Sequence, residues 1–238
     1  DRNADRFNKP GKNKIGKEIA ERTARIVYWV VSLIGLGLGY FMGYTVGITM
    51  LGSIHLIAFF LLWMYSTDFK HRPLLGNLVV SLLSAIAIVV IPLFDVVPAN
   101  RSVISEYVML FYIFGAYALF AFTTTLIREL VKDGEDFKGD HRVGSKTLAL
   151  SMKPKNYKLF ILFIVAIFEA LILWVSYYFL DVPVLAAYLM LLIAIPMGVI
   201  AYCIWGSKEK KDWNKASLWI KIVMLFGISS VMVFSWIG

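Results

Sequence analysis

The chain has 238 residues, of which 59% are hydrophobic and only 17% charged, with a mean hydropathy of +0.72. A water-soluble domain sits nearer half apolar and a quarter charged, so this composition excludes a soluble protein. The formal net charge of +8 would suit a nucleic-acid binder, but its placement argues otherwise, because 22 of the 24 Lys/Arg residues fall before the first apolar block or on alternate connections after it, and Lys221 lies just inside the last block.

In chain order, residues 1–25 come first and hold eight Lys/Arg. Asp1 and Asp5 lie four apart there, a spacing that shares one face if the segment is helical. Apolar blocks then run Ile26–Tyr44, Thr45–Tyr65, Leu74–Phe94, Val103–Ile127, Leu159–Leu180, Val182–Ile204 and Ala216–Ile237. Each block is about 19 to 25 residues long, enough for a helix to cross a hydrocarbon core of ~30 Å. Blocks of this length are too long and too continuous for the strands of a membrane barrel. The sequence therefore predicts an all-α integral membrane protein with seven transmembrane helices.

Excess Lys/Arg marks the cytoplasmic side of a membrane protein. Residues 1–25, the connection with Lys70 and Arg72, residues 128–158 and residues 205–215 fall on that side, leaving Arg101 opposite. The expected location is the cytoplasmic membrane, multi-pass, with residues 1–25 inside and no nucleic-acid partner. No required protein partner is implied. The single cysteine, Cys203, lies inside a block and forms no internal disulfide. Gly35, Gly37, Gly39 and Gly43 in the first block read as close helix packing through small residues. The spans between the polar clusters read as nearly free of charge, with carboxylates at their ends.

Polar residues gather in three cytoplasmic places. The first is the Asp1/Asp5 segment. The second is the loop Tyr65-Ser66-Thr67-Asp68-Phe69-Lys70-His71-Arg72-Pro73-Leu74-Leu75-Gly76-Asn77, where Lys70 offers a point charge and Arg72 a bidentate fork for a diphosphate. The third is the stretch from Arg128 to Arg142. In it Glu129, Asp133, Asp136 and Asp140 form one stripe if the fourth span continues as a helix. Like charges at that spacing repel, and negative side chains at a helix C-terminus oppose its dipole. Lys132, Lys138 and Arg142 offset part of this. The remaining cost is explained by a divalent cation, and carboxylate oxygens suit Mg²⁺.

Asp1-x3-Asp5-x2-Asn8-Lys9-Pro10 resembles the latter part of the first acidic motif of the UbiA prenyltransferase superfamily. The Tyr65–Asn77 loop and the segment Arg128-Glu129-x3-Asp133-x-Glu135-Asp136-x2-Gly139-Asp140-x-Arg142-x-Gly144-x-Lys146-Thr147-Leu148 are similar to two further motifs of that family. The resemblance implies a nine-helix bundle, of which residues 1–238 would hold the third to ninth helices in a single prenyltransferase domain lacking its first two. It also implies a Mg²⁺-dependent enzyme that moves an isoprenyl group from a polyprenyl diphosphate. Asp1, Asp5, Asp133, Asp136 and Asp140 would be the metal ligands. Lys70, Arg72, Asn77, Arg142 and Arg6 would bind diphosphate, and Tyr65, Ser66 and Lys70 would be catalytic. The acidic pattern is more similar to the branch with digeranylgeranylglyceryl phosphate synthases, which implies a geranylgeranyl donor and a lipid glycerol-phosphate acceptor ahead of an aromatic one. Two rival readings are a CDP-alcohol phosphotransferase and a seven-span non-enzymatic cation transporter or receptor. Asp133-Gly134 lacks the Ala-Arg continuation of the first, and transport would favour ionisable groups near the midplane.

Overall fold

The structure is a computed structural model that describes residues 14–16, 18–99 and 107–237. Seven long helices carry the apolar blocks: α1 Glu21–Thr45, α2 Ser53–Thr67, α3 Leu75–Ala99, α4 Val108–Arg142, α5 Pro154–Tyr178, α6 Pro183–Gly206 and α7 Lys210–Ile237. No strand occurs among the described residues. All seven are long and apolar enough to cross a membrane, α2 together with the 3₁₀ turn Thr49–Gly52 that leads into it, so the protein is a multi-pass membrane protein. Backbone N–H and C=O groups have no water to bond in hydrocarbon, and a helix satisfies them within itself.

The chain falls into two compact units. One holds the described residues up to Leu119 together with Lys138–Ser145, and the other holds Phe120–Phe137 and the chain from Lys146 onward.

In the first unit α1 and α2 meet through glycines. A Cβ on Gly39 would lie 2.4 Å from the His55 ring, and one on Gly43 would lie 3.1 Å from backbone atoms of Ile48, Thr49 and Gly52. Gly52 in turn sits against Tyr40, and the His55 ring meets Phe94 of α3 edge-on at 5.6 Å. Where lipid replaces water on both sides of the comparison, helices associate by such close packing. The expectation of glycine packing thus holds for Gly39 and Gly43. It fails for Gly35 and Gly37, where an added Cβ would meet nothing within 4 Å among the described residues.

The second unit is built on three matching seams. Ile161, Val165, Phe168 and Ile172 are buried on α5, and Ile193, Met197, Ile200 and Ile204 are buried on α6. Ala216, Ile220 and Val223 are buried on α7, and Gly227, one turn further on, has the Phe120 ring where a Cβ would stand. Each series repeats at alternating four and three residues, the spacing that keeps one face toward a neighbouring helix. Along α6, Leu189–Ala194 widens into a π-helical turn. Pro196 explains it: proline has no N–H to give the carbonyl four residues earlier, and its ring would clash there, so the turn before it opens.

Thermal unfolding in detergent separates the two kinds of glycine. Gly39→Leu should lower stability by roughly 1–3 kcal/mol through overpacking against His55. Gly37→Leu should leave the midpoint unchanged.

Candidate active site

The loop between α2 and α3 lies wholly in the first unit. Tyr65 and Ser66 occupy the last turn of α2, Phe69–His71 forms a turn of 3₁₀-helix, and Asn77 is buried in the first turn of α3. Ser66 donates its hydroxyl to the carbonyl of Trp63 at 2.9 Å. Arg72 forms an ion pair with Asp68 at 2.8 Å, with both side chains about half exposed. Gly76 explains how α3 comes up against this loop. A Cβ there would stand 3.0 Å from the Phe69 carbonyl and 3.3 Å from both Lys70 Cα and the Tyr65 ring. Leu74 holds φ at +64°, and the Leu75 N–H donates to the Pro73 carbonyl at 2.8 Å. That three-residue turn is strained for a branched side chain, and such strain is found at ligand-binding loops. The structure thus brings Tyr65, Lys70 and the start of α3 together.

The acidic stretch is helical to Arg142, so α4 runs for 35 residues. Asp133, Asp136 and Asp140 therefore do share a stripe, with Glu129 one turn before. His141 and Arg142 close the last turn, where positive charge is favourable. Glu129 pairs with its neighbour Arg128. Asp136, whose side chain is 15% exposed, faces Lys210 of α7 with Nζ 3.8 Å from Oδ1. The sequence pointed to cations on α4 itself; the one that answers Asp136 comes from a distant part of the chain.

The α6–α7 corner is built to deliver Lys210 and Trp213. Lys158 of α5 donates to the carbonyls of Trp205 and Ser207, placing a cation at the C-terminal end of α6. Asp212 accepts from the backbone N–H groups of Lys208 and Glu209 at 3.1 Å each, which caps the start of α7. Trp213, 8% exposed, then lies on Gly134, whose added Cβ would stand 2.8 Å from the indole. Tyr157 packs beside that indole at 6.1 Å and donates its hydroxyl to the Leu130 carbonyl at 2.6 Å. These contacts fix the segment of α4 that carries Asp133 and Asp136. Trp213, Tyr157 and Lys210 were not legible as site residues, because long-range contacts between helices leave no local spacing; only the Lys-rich connection 205–215 hinted at a counter-charge.

Among the described residues, no group of three or more His, Cys, Asp or Glu side chains is gathered so as to hold a metal ion. Asp1, Asp5 and Arg6 lie outside the described residues. The donor chemistry of the stripe nevertheless suits a hard cation, since its side chains are carboxylates and Asp136 already faces an ammonium group.

Seven long apolar helices, one of them continuing into a stripe of carboxylates, define a polytopic membrane protein. The UbiA prenyltransferase family matches residues 1–226, and the chain belongs to that family. It is similar to the digeranylgeranylglyceryl phosphate synthase of Pyrococcus horikoshii, 31% identical over 64% of this chain and 48% of that protein. The synthases of Korarchaeum cryptofilum and Methanosphaera stadtmanae are each 26% identical, over 98% and 95% of this chain and 77% and 76% of their own lengths. The alignment thus spans about half of the first relative and about three quarters of the other two. No solved structure matches the chain significantly.

Gly134→Leu should displace the Trp213 indole and destabilise the protein by about 1–3 kcal/mol. The same variant should lower turnover, because the carboxylates of α4 lose their support; thermal melts and an activity assay read the two effects separately.

Proposed function

We propose that this protein is a membrane prenyltransferase that moves an isoprenyl group from a prenyl diphosphate to the hydroxyl of a glycerol-phosphate lipid. Its relatives are named for synthesis of digeranylgeranylglyceryl phosphate, which favours a geranylgeranyl donor and that acceptor over an aromatic one. The observation that carries the reading is the α4 stripe of carboxylates in a chain of this family. Residues 1–238 are read as part of one prenyltransferase domain.

Asp133, Asp136 and Asp140 are the residues assigned to hold Mg²⁺, with Asp1 and Asp5. When bound, the ion supplies Lewis-acid stabilisation of charge on a diphosphate leaving group. Lys70 and Arg72 bind the same anion, one as a point charge and the other as a planar fork. Arg72 spends that fork on Asp68 in this structure, so substrate binding exchanges one anion for another. Asn77, Arg142 and Arg6 add hydrogen bonds and charge to the diphosphate. Tyr65 and Ser66 are assigned to the allylic carbon, where the C–O bond to diphosphate breaks and the acceptor oxygen bonds while losing its proton. Preorganised charge of this kind is the largest single contribution in many enzymes. The apolar helices keep water from capturing the carbon centre.

The location that fits is the cytoplasmic membrane, with this chemistry on the cytoplasmic face, because 22 of the 24 Lys/Arg residues occupy the segments assigned to that side and Lys221 lies just inside the last span.

Purified protein in lipid with Mg²⁺ should transfer a radiolabelled geranylgeranyl group to a geranylgeranylglyceryl phosphate acceptor. Asp136→Ala and Asp140→Ala should each lower the rate by about a hundredfold or more, and EDTA should abolish transfer until Mg²⁺ is restored. Wild-type rates in both variants would overturn the assignment. Arg72→Lys should raise KM for the diphosphate more than it lowers kcat, since the point charge stays and the fork is lost.

A further inference from the structure

Asp136 of α4 and Lys210 of α7 face each other inside the second unit. Asp136 is the more enclosed partner, with a side chain 15% exposed, whereas Lys210 is about half exposed. A carboxylate stripped of most of its water needs a counter-charge. Lys132, one turn earlier on α4, is the local candidate, but a lysine N-terminal to the acid is the weaker order for such a pair. The structure pairs Asp136 with the α7 lysine instead.

The backbone that carries Lys210 is anchored independently of this pair. Asp212 caps the start of α7, and Trp213 is seated on Gly134, two residues before Asp136. Lys210 and Trp213 are three residues apart and so share one face of α7. The part that can swing is therefore the four-carbon stem of Lys210. Its Nζ stands 3.8 Å from Oδ1. A direct bond between ammonium and carboxylate is nearer 2.8 Å, so this contact supplies charge and not a directed bond. Lysine is also a compact point charge without the planar fork of arginine, which makes it exchangeable for another small cation.

We infer that Lys210 is a tethered counter-ion for Asp136, neutralising the carboxylate in the metal-free protein and leaving it when a divalent cation binds. The inference rests on the assignment of Asp136 to the metal site under the proposed function. Lys210 is then a positioning residue with two opposite effects. It holds the acidic end of α4 against α7 before metal arrives, and it competes with the metal, since two cations at one carboxylate repel. Its removal should weaken the metal-free protein and tighten metal binding.

The test follows the thermal midpoint of purified protein in detergent, without substrate, in EDTA and then across a MgCl₂ titration. Metal that binds the folded state raises the midpoint. Lys210→Met should lower the midpoint in EDTA and reach half of the Mg²⁺ effect at about fivefold lower Mg²⁺ than wild type. Lys210→Arg should keep the wild-type midpoint in EDTA and need at least as much Mg²⁺. Lys211→Met removes the same charge from the neighbouring residue, which pairs with Glu209, and should leave the Mg²⁺ dependence unchanged. In an Asp136→Asn background, Lys210→Met should no longer shift the Mg²⁺ requirement. A Lys210→Met protein that needs as much Mg²⁺ as wild type, or more, would overturn the inference while leaving the metal assignment intact. An equal shift in Lys211→Met would overturn it too, by making the effect one of general charge. A wild-type midpoint that ignores Mg²⁺ would remove the metal assignment itself, and this inference with it.

Discussion

A helix that outruns the bilayer governs the rest of this structure. At 35 residues α4 is about 52 Å long, some 20 Å more than a hydrocarbon core requires. Its apolar part meets the needs of a span, and the remainder carries Glu129, Asp133, Asp136 and Asp140. Four carboxylates on one stripe near a helix C-terminus oppose both one another and the helix dipole. Such a segment stays helical only if cations and neighbouring side chains hold it, and the structure shows both kinds of support. Lys210 answers Asp136, while Trp213 and Tyr157 hold the backbone between Leu130 and Gly134.

This support links folding to chemistry. Lys158 and Asp212 fix the corner between α6 and α7, that corner places Trp213 on Gly134, and Gly134 admits the indole because it has no side chain. A packing contact therefore sets where the carboxylates of α4 stand. The Tyr65–Asn77 loop follows the same logic on a smaller scale. Gly76 lets the start of α3 approach Tyr65 and Lys70, and the strained turn at Leu74 sets how the chain enters α3. In both places a glycine acts by what it leaves out.

The lipid environment changes how apolar surface should be read. Side chains such as Phe163, Trp174, Tyr202 and Leu225 are well exposed in the folded chain. In water that would be a liability, but facing hydrocarbon it carries no such penalty, so association rests on close contact and on satisfied polar groups.

The sequence by itself determined what depends on composition and local periodicity. Block length against bilayer thickness predicted seven helices, and all seven are present, because backbone hydrogen bonding in lipid leaves no other open structure. The carboxylate stripe was equally legible, since three- and four-residue spacings become one face once the chain is helical. Only the tertiary structure decided which partners those groups meet. The pairing of Lys210 with Asp136 joins residues 74 positions apart, and the seating of Trp213 on Gly134 depends on how three helices cross. The difference between Gly39, pressed against His55, and Gly37, beside open space, also follows from helix rotation, which no spacing of glycines encodes. Glu169, inside α5 and not at its end, escaped notice because a single charge in a long apolar run barely alters its hydropathy.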